Sequence, residues 1–403
     1  MELNQVDQRI DLEPRSLPCR IRFSLRSIIA ILRQSEAQLI WLRSLSSMPQ
    51  SAVLTSRRAE LTDKTARDNK EETKMTLKWS ALVTAALGLA ITSGAVEAQT
   101  KLKWAHVYET SEPFHTQSVW AAQELAKRTN NRYQVDVYPA SQLGKETDLN
   151  QGLSLGSVDI IVSGSSFAAR SSPPIGITYY PYVFRDANHL LAYTKSDVFK
   201  ELAKGYSDKT GHQILAVTYY GARHTSSNKP IKTCADMKGV KIRVPDVPAY
   251  LAMPRACGAN TSPIAFAEVY LALQNGTVEA QENPLTTIEA KKFYEVQKHI
   301  ALTGHIVDHL NTVVSSNLWK KLSDEDKKIF SEVAQEAAAR ASAEIIAKEK
   351  ELVGFFKEKG LTVTEVDKED FKQNVLKSVT FESFGYRKAD YDKIQTIKSE
   401  PAL

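Results

Sequence analysis

At 403 residues, with 52 Lys+Arg against 47 Asp+Glu, the chain carries a formal charge of only +5 at neutral pH. A hydrophobic content of 42% is that of an ordinary globular protein, here long enough for two domains. The basic residues are dispersed, which argues against a nucleic-acid partner.

Residues 1–74 hold 13 basic and 10 acidic residues together with Cys19. A basic amphipathic stretch from Ile21 to Leu45, interrupted by Arg33, Glu36 and Arg43, has the pattern of a membrane-surface helix. Residues 75–98 have a different layout. Lys78 lies near the start, an uncharged apolar run extends from Ala81 to Ile91, and Val96 and Ala98 stand where a signal peptidase reads. The run is too short for a membrane span of about 20 residues. The expectation is a signal peptide at 75–98, a mature protein beginning at Gln99, and an upstream extension at 1–74 that is disordered or, with translation starting at Met75, never made.

Alternation of polar and apolar residues predicts strands over 101–107 and 133–139. The spacing of Phe114, Val119, Ala122, Leu125 and Ala126 predicts a helix from Pro113 to Arg128, and a second covers Lys145 to Leu155. Ile160 to Ser163, Ile214 to Tyr220 and Gly239 to Val244 read as further strands, and Leu285 to Tyr294 as a helix. Strands alternating with helices imply α/β layers with parallel or mixed sheets. The clearest element runs from Ser323 to Gly360. Ser323 and Asp326 form a box-like N-cap, and Ile329, Val333, Ala337, Ala341, Ile345 and Leu352 make one stripe. Gly360 is a C-cap. A helix of this length is expected to span two lobes or to kink, and the absence of a low-complexity linker means that any two lobes are interleaved in sequence.

Arg243, in Lys241-Ile242-Arg243-Val244-Pro245, sits at the end of a β-branched strand, where ligands of α/β sheets bind. Its guanidinium suits a carboxylate through two parallel charge-assisted bonds, or alternatively braces the sheet against an acidic neighbour. Arg223 follows a strand directly. Asn283, between Glu282 and Pro284, either bonds a ligand oxygen or caps the helix that follows. Phe266 either walls a pocket or packs in the core. His305 and His309 are four apart, but no third ligand stands at telling spacing, so no metal and no cofactor are expected. The sequence lacks a Gly-x-Ser-x-Gly elbow, a Walker loop and a dinucleotide glycine fingerprint. A hydrolase or lyase would have only Glu109, Asp246 or His305 as its base. Cys234 and Cys257 form one disulfide or remain two buried thiols; spacing alone leaves both open.

Residues 235–245, with Lys241-Ile242-Arg243-Val244-Pro245, resemble the periplasmic solute-binding proteins of TRAP transporters (the DctP family). So does the run from Ala265 to Pro284, which contains Ala265-Phe266-Ala267-Glu268-Val269-Tyr270 and Gln281-Glu282-Asn283-Pro284. Residues 292–298 and 138–144 fit as well, and the resemblance spans essentially all of 99–403. It implies a two-lobed α/β fold with hinge strands and a long helix crossing both lobes: 99–220 with 310–348 as the first lobe, 221–309 with 349–403 as the second. It also implies a periplasmic receptor rather than an enzyme, monomeric, that binds a small organic acid and hands it to membrane permease subunits. In the family's pattern Arg243 pairs with the ligand carboxylate, Asn283 assists, Arg223 matches an arginine that contacts ligand in sialic-acid-binding members, and Phe266 lines the pocket. The departures concern the substrate. Gly164-Ser165-Ser166 replaces an acidic residue of the sialic-acid type, Tyr108-Glu109 replaces small residues, and Asp246 and His305 stand near the site with Asp308, His309 and Asn311. One carboxylate fork with surrounding acidic and neutral groups favours a hydroxylated monoacid over a dicarboxylate. A hexuronate such as glucuronate or galacturonate is expected, with sialic acids, aldonates and C4-dicarboxylates as alternatives.

Overall fold

The computed structural model describes residues 99–399. The signal peptide expected at 75–98, the segment 1–74 and the last four residues lie outside the described residues. Nine strands form one mixed sheet among the described residues. They are β1 (Thr100–Ala105), β2 (Tyr133–Tyr138), β3 (Ile160–Gly164), β4 (Gln213–Ser227), β5 (Lys241–Val244), β6 (Asn260–Pro263), β7 (Ala280–Pro284), β8 (His299–Val314) and β9 (Thr362–Thr364). Their order is β2-β1-β3-β8-β4-β7-β5-β6, with β9 beside β8.

Two long antiparallel strands, β4 and β8, form the spine. The parallel group β2-β1-β3 attaches where Leu310–Val314 of β8 pairs with β3. A second group attaches at the opposite end, where Arg223–Ser227 of β4 pairs with β7 and His299–Ala301 of β8 pairs with β9. These are the two lobes of the expected fold, joined by strands that run through both. The apolar residues form one large core that extends into both groups and a smaller cluster on the second. Trp104, Ile160, Ile161 and Val314 sit in the main core, while Val269, Leu273, Phe293, Ile300 and Phe356 form a separate cluster on the second group.

The spine is irregular where it crosses between the groups. Register shifts occur between Tyr219 and Gly221 and between Arg223 and Thr225. Such bulges twist a strand and re-aim its side chains. Gly221 has φ +121°, and a Cβ there would lie 2.7 Å from both Pro284 Cβ and Glu349 Oε1, so only glycine fits. Glu349 fixes the bulge from the helix side, accepting from the Ala222 N–H at 3.0 Å and the Tyr219 hydroxyl at 2.7 Å.

Six helices matter for the site: α1 (Pro113–Arg128), α2 (Glu146–Leu155), α3 (Pro248–Ala256), α4 (Leu285–Ala290), α5 (Asp324–Glu358) and α6 (Lys368–Ser378). Helix α5 holds 35 residues, roughly 50 Å at helical rise. It packs along α1 and β4 and reaches α4 and β9, so it touches both groups. Ser323 caps it by accepting from the Asp326 N–H, and Gly360 follows its end at φ +87°. The buried stripe includes Phe330 in place of the expected Ile329, which is half-buried.

Three expectations change in detail. The strand expected at 214–220 continues to Ser227, and the helix expected to Tyr294 ends at Ala290 and gives way to a tight turn at Phe293–Glu295. The chain after α6 does not stay with the second group. Tyr180 donates to the Val379 carbonyl, Gln395 to the Val183 carbonyl, and His189 Nε2 meets the Ile394 carbonyl. Residues 379–399 therefore pack on the first lobe, rather than with 349–378 as expected. Cys234 and Cys257 are joined in a disulfide with 4.8 Å between Cα atoms, which ties the turn before β5 to the end of α3.

Candidate ligand-binding site

The site lies where the ends of β5 and β7 meet the bulged middle of the spine. Arg243 is carried there by β5, in parallel register with β6 and β7. It is 2% exposed. Its Nε and Nη2 both donate to the Ile264 carbonyl, at 2.9 and 2.7 Å. Its Nη1 is buried with no hydrogen-bond partner among the described residues. The guanidinium is thus gripped along one edge while the remaining nitrogen is left to a further acceptor. Burial, together with the neighbouring Arg223 charge, lowers its pKa to about 10, against the opposing pull of Glu282 and Glu146. It is a cation at any physiological pH.

Arg223 is equally buried but its guanidinium is spoken for. It donates to both Glu282 carboxylate oxygens, to the Glu282 carbonyl at 2.6 Å, to Asp308 Oδ2 at 2.8 Å and to Asn283 Oδ1 at 3.0 Å. Its Cζ stands 4.8 Å from the centre of the Tyr250 ring. Burial pushes the Glu282 carboxyl up, but Arg223 and His305 reverse this and hold it below its ordinary range. Burial wins at Asp308, which sits above its ordinary value despite Arg223. Arg223 in this arrangement is the counter-ion of two internal carboxyls, with one hydrogen on Nη1 outside these bonds. Asn283 bonds across to β4 and along its own strand: its Oδ1 accepts from Arg223 and its Nδ2 donates to Gln281 Oε1.

Phe266, 7% exposed, and Tyr108, 2% exposed, meet with ring centroids 6.0 Å apart, so the two aromatic candidates come together from opposite groups. Tyr220 and Phe114 extend the aromatic wall. The remaining candidates are placed differently. Glu109 forms an ion pair with Lys291 at 2.7 Å on the rim. Asp246 points outward, its side chain 63% exposed, and pairs with Arg170 at 3.1 Å. His305 is buried behind the site. Its Nε2 lies 3.1 Å from Glu282 Oε2, where it buttresses that carboxylate, and its Nδ1 lies 2.9 Å from Thr303 Oγ1. These three follow or neighbour site strands in sequence, but the strand direction turns them away from the Arg243 nitrogen. His309 faces Ser165 at 3.0 Å, so the two histidines turn to separate partners, and no group of three metal-ligating side chains occurs among the described residues.

Groups from both lobes already touch across the cleft. Thr287 donates to Glu112 at 3.0 Å and contacts the Tyr220 hydroxyl at 3.0 Å, while Ser166 donates to the Tyr250 hydroxyl at 3.4 Å. With the Glu109–Lys291 and Arg170–Asp246 pairs, these contacts hold the lobes together over the arginines.

Comparison with known proteins agrees with this geometry. Residues 104–383 match the model of DctP, the bacterial extracellular solute-binding proteins of family 7. The chain belongs to this family. A sialic acid-binding periplasmic protein, SiaP, of Vibrio cholerae is 34% identical over 291 residues, which cover 72% of this chain and 91% of that protein. A TRAP periplasmic solute binding protein of Roseobacter denitrificans, solved with bound L-galactonate, is 30% identical, with a TM-score of 0.69, covering 74% of this chain and 99% of that one. A second from the same organism, solved with β-D-glucuronate, is 27% identical, with a TM-score of 0.71, covering 74% of this chain and all of that one. The family consists of solute-binding receptors, and this DctP-family protein is accordingly a binding protein rather than an enzyme.

Two members of the site escaped the sequence. Glu146 opens α2 and receives the Tyr108 hydroxyl at 3.3 Å. Burial raises its carboxyl to about 7, moderated by Arg243, Tyr108 and Arg223. Tyr250, on α3, stacks against Arg223, and its phenol stays neutral because burial and Asp308 push its pKa well above the ordinary value. The only sequence signal for Glu146 was its place in the first turn of a helix; for Tyr250 there was none beyond its position after Pro248.

Proposed function

We propose that this DctP-family protein captures a sugar acid through a salt bridge between the ligand carboxylate and Arg243, and delivers it to TRAP permease subunits in the membrane. The observation that carries the reading is the buried, unpartnered Arg243 Nη1 on a guanidinium anchored by Ile264. A buried guanidinium nitrogen with no acceptor is costly, and a ligand carboxylate supplies that acceptor. Glu146, Asn283 and the tyrosine hydroxyls supply the polar contacts that sugar hydroxyls need. Three internal carboxyls around two arginines disfavour a second acidic group on the ligand. A hexuronate, glucuronate or galacturonate, is the assigned substrate; the relatives solved with glucuronate and galactonate support the sugar-acid class. The receptor acts in the periplasm after export through the leader at 75–98, as a monomer, without cofactor.

A thermal-shift panel of uronates, aldonates, sialic acid, succinate and malate tests the assignment, because a ligand specific to the folded state raises the melting temperature by mass action. The expected result is a rise with hexuronates. A rise with dicarboxylates alone would overturn the sugar-acid reading, and a rise with aldonates alone would move the substrate within that class.

A further inference from the structure

The site contains an excess of acids. Arg223 bonds Glu282 on β7 and Asp308 on β8, Arg243 and Glu146 on α2 lie within electrostatic reach of each other, and the phenols of Tyr108 and Tyr250 stay neutral nearby. A ligand carboxylate would make four carboxyls against two guanidiniums in a largely buried space, and like charges so placed do not all stay ionised. The hydrogen bonds indicate which one yields. Glu282 receives Arg223 on both oxygens and His305 besides. Asp308 receives Arg223 on one oxygen and the His309 N–H on the other, at 2.6 Å. Glu146 has only the Tyr108 hydroxyl, at 3.3 Å, and is partly open to solvent.

We propose that capture of the acid is coupled to uptake of one proton from solvent by Glu146, which converts its side chain from a carboxylate into a hydrogen-bond donor beside the Arg243 fork. This rests on the carboxylate reading of Arg243. The neutral acid then donates to a sugar hydroxyl or to the ligand carboxylate, and the anion enters the site without adding net charge. The position of Glu146 near pH 7 before binding places the coupling in the physiological range. The sign follows: binding that takes up a proton weakens as pH rises above the carboxyl's value in the free protein.

Calorimetric titration of D-glucuronate, with L-galactonate as a second probe, into the purified protein in phosphate, HEPES and Tris at pH 7 and pH 8 tests this. The dependence of the heat on buffer ionisation gives the protons taken up. The expected values are about half a proton at pH 7 and nearly one at pH 8, with affinity falling up to about tenfold between pH 8 and pH 9. In Glu146→Gln the uptake disappears and the affinity no longer varies over this range. Clear binding with no proton uptake at either pH overturns the coupling alone. Uptake that persists in Glu146→Gln and vanishes in Glu112→Gln overturns the assignment to Glu146, since Glu112, enclosed by Thr287, Glu109 and Lys291, is also held near 7. Failure of every sugar acid to bind overturns the receptor reading and the coupling with it.

Discussion

Arg243 and Arg223 show how the same residue type takes opposite roles a few ångströms apart. Two nitrogens of Arg243 share a single backbone carbonyl, which orients the fork without neutralising it. Arg223 is neutralised by Glu282 and Asp308 and stiffens the crossing of the spine. Arg243→Ala is therefore expected to leave the fold intact by circular dichroism and to weaken sugar-acid binding at least 100-fold in calorimetry, about 3 kcal/mol, the scale of an unpaired buried charge. Unchanged affinity would remove Arg243 from the site. Arg223→Ala is expected to act on stability instead, by about 3–5 kcal/mol in urea unfolding, because it strands two buried carboxyls. A variant as stable as the parent would contradict the internal ion-pair role. Glu112 gives a pH signature. Burial raises its pKa from the ordinary 4.5 to about 7 in the folded protein. The folded state thus keeps a proton that the unfolded chain releases, so this contribution is fully present below about 4.5 and is lost as pH rises through 7. Melting temperatures measured from pH 5 to pH 8 should fall more steeply for the parent than for Glu112→Gln; parallel curves would contradict the assignment.

At the level of elements, the sequence was most legible where one physical signal dominated. Alternation located β1 and β2, and the apolar stripe with its caps located α5 within two residues at each end. Strand β4 was cut short at Tyr220 because Gly221 and the polar run Arg223-His224-Thr225-Ser226-Ser227 read as an exit from the sheet. In the fold Arg223 and Ser226 are buried and bonded to Asp308, Gln297 and Gln281, partners some 55 to 85 residues away that no local pattern reveals. Arg243 stands on the strand that Pro245 ends, and the structure buries its guanidinium there with Nη1 unpartnered. Asp246 and His305 were misplaced for a complementary reason: nearness in sequence to a site strand does not fix the direction of a side chain. The disulfide had been open from spacing, and tertiary proximity decides it. It links residues 23 apart, from the turn before β5 to the end of α3. Cys257→Ser is expected to lower unfolding free energy by about 3 kcal/mol in denaturant titration, the chain-entropy value for a loop of this length. No loss would mean that the bond does not form in the native protein.

On the scale of the whole molecule, two strand groups share one spine, and α5 runs alongside both. The elements that reach both groups are β4, β8 and α5. The bulge at Gly221, pinned by Glu349 from α5, lies on that crossing and beside Arg223. Closure and ligand charge are linked through position: contacts such as Glu112–Thr287 and Glu109–Lys291 bring the lobes together above the arginines, where exclusion of water strengthens a carboxylate–guanidinium pair. Among the described residues no helix is long and apolar enough to cross a membrane. The central claim is that a single ligand carboxylate is read by Arg243 in a pocket shaped for a sugar. Its most direct test is a pair of calorimetric titrations of the parent protein, one with D-glucuronate and one with D-glucuronamide, which replaces the carboxylate by a neutral amide. The account predicts that the acid binds and that the amide binds at least 100-fold more weakly; equal affinity for the two, or binding of the amide alone, would contradict it.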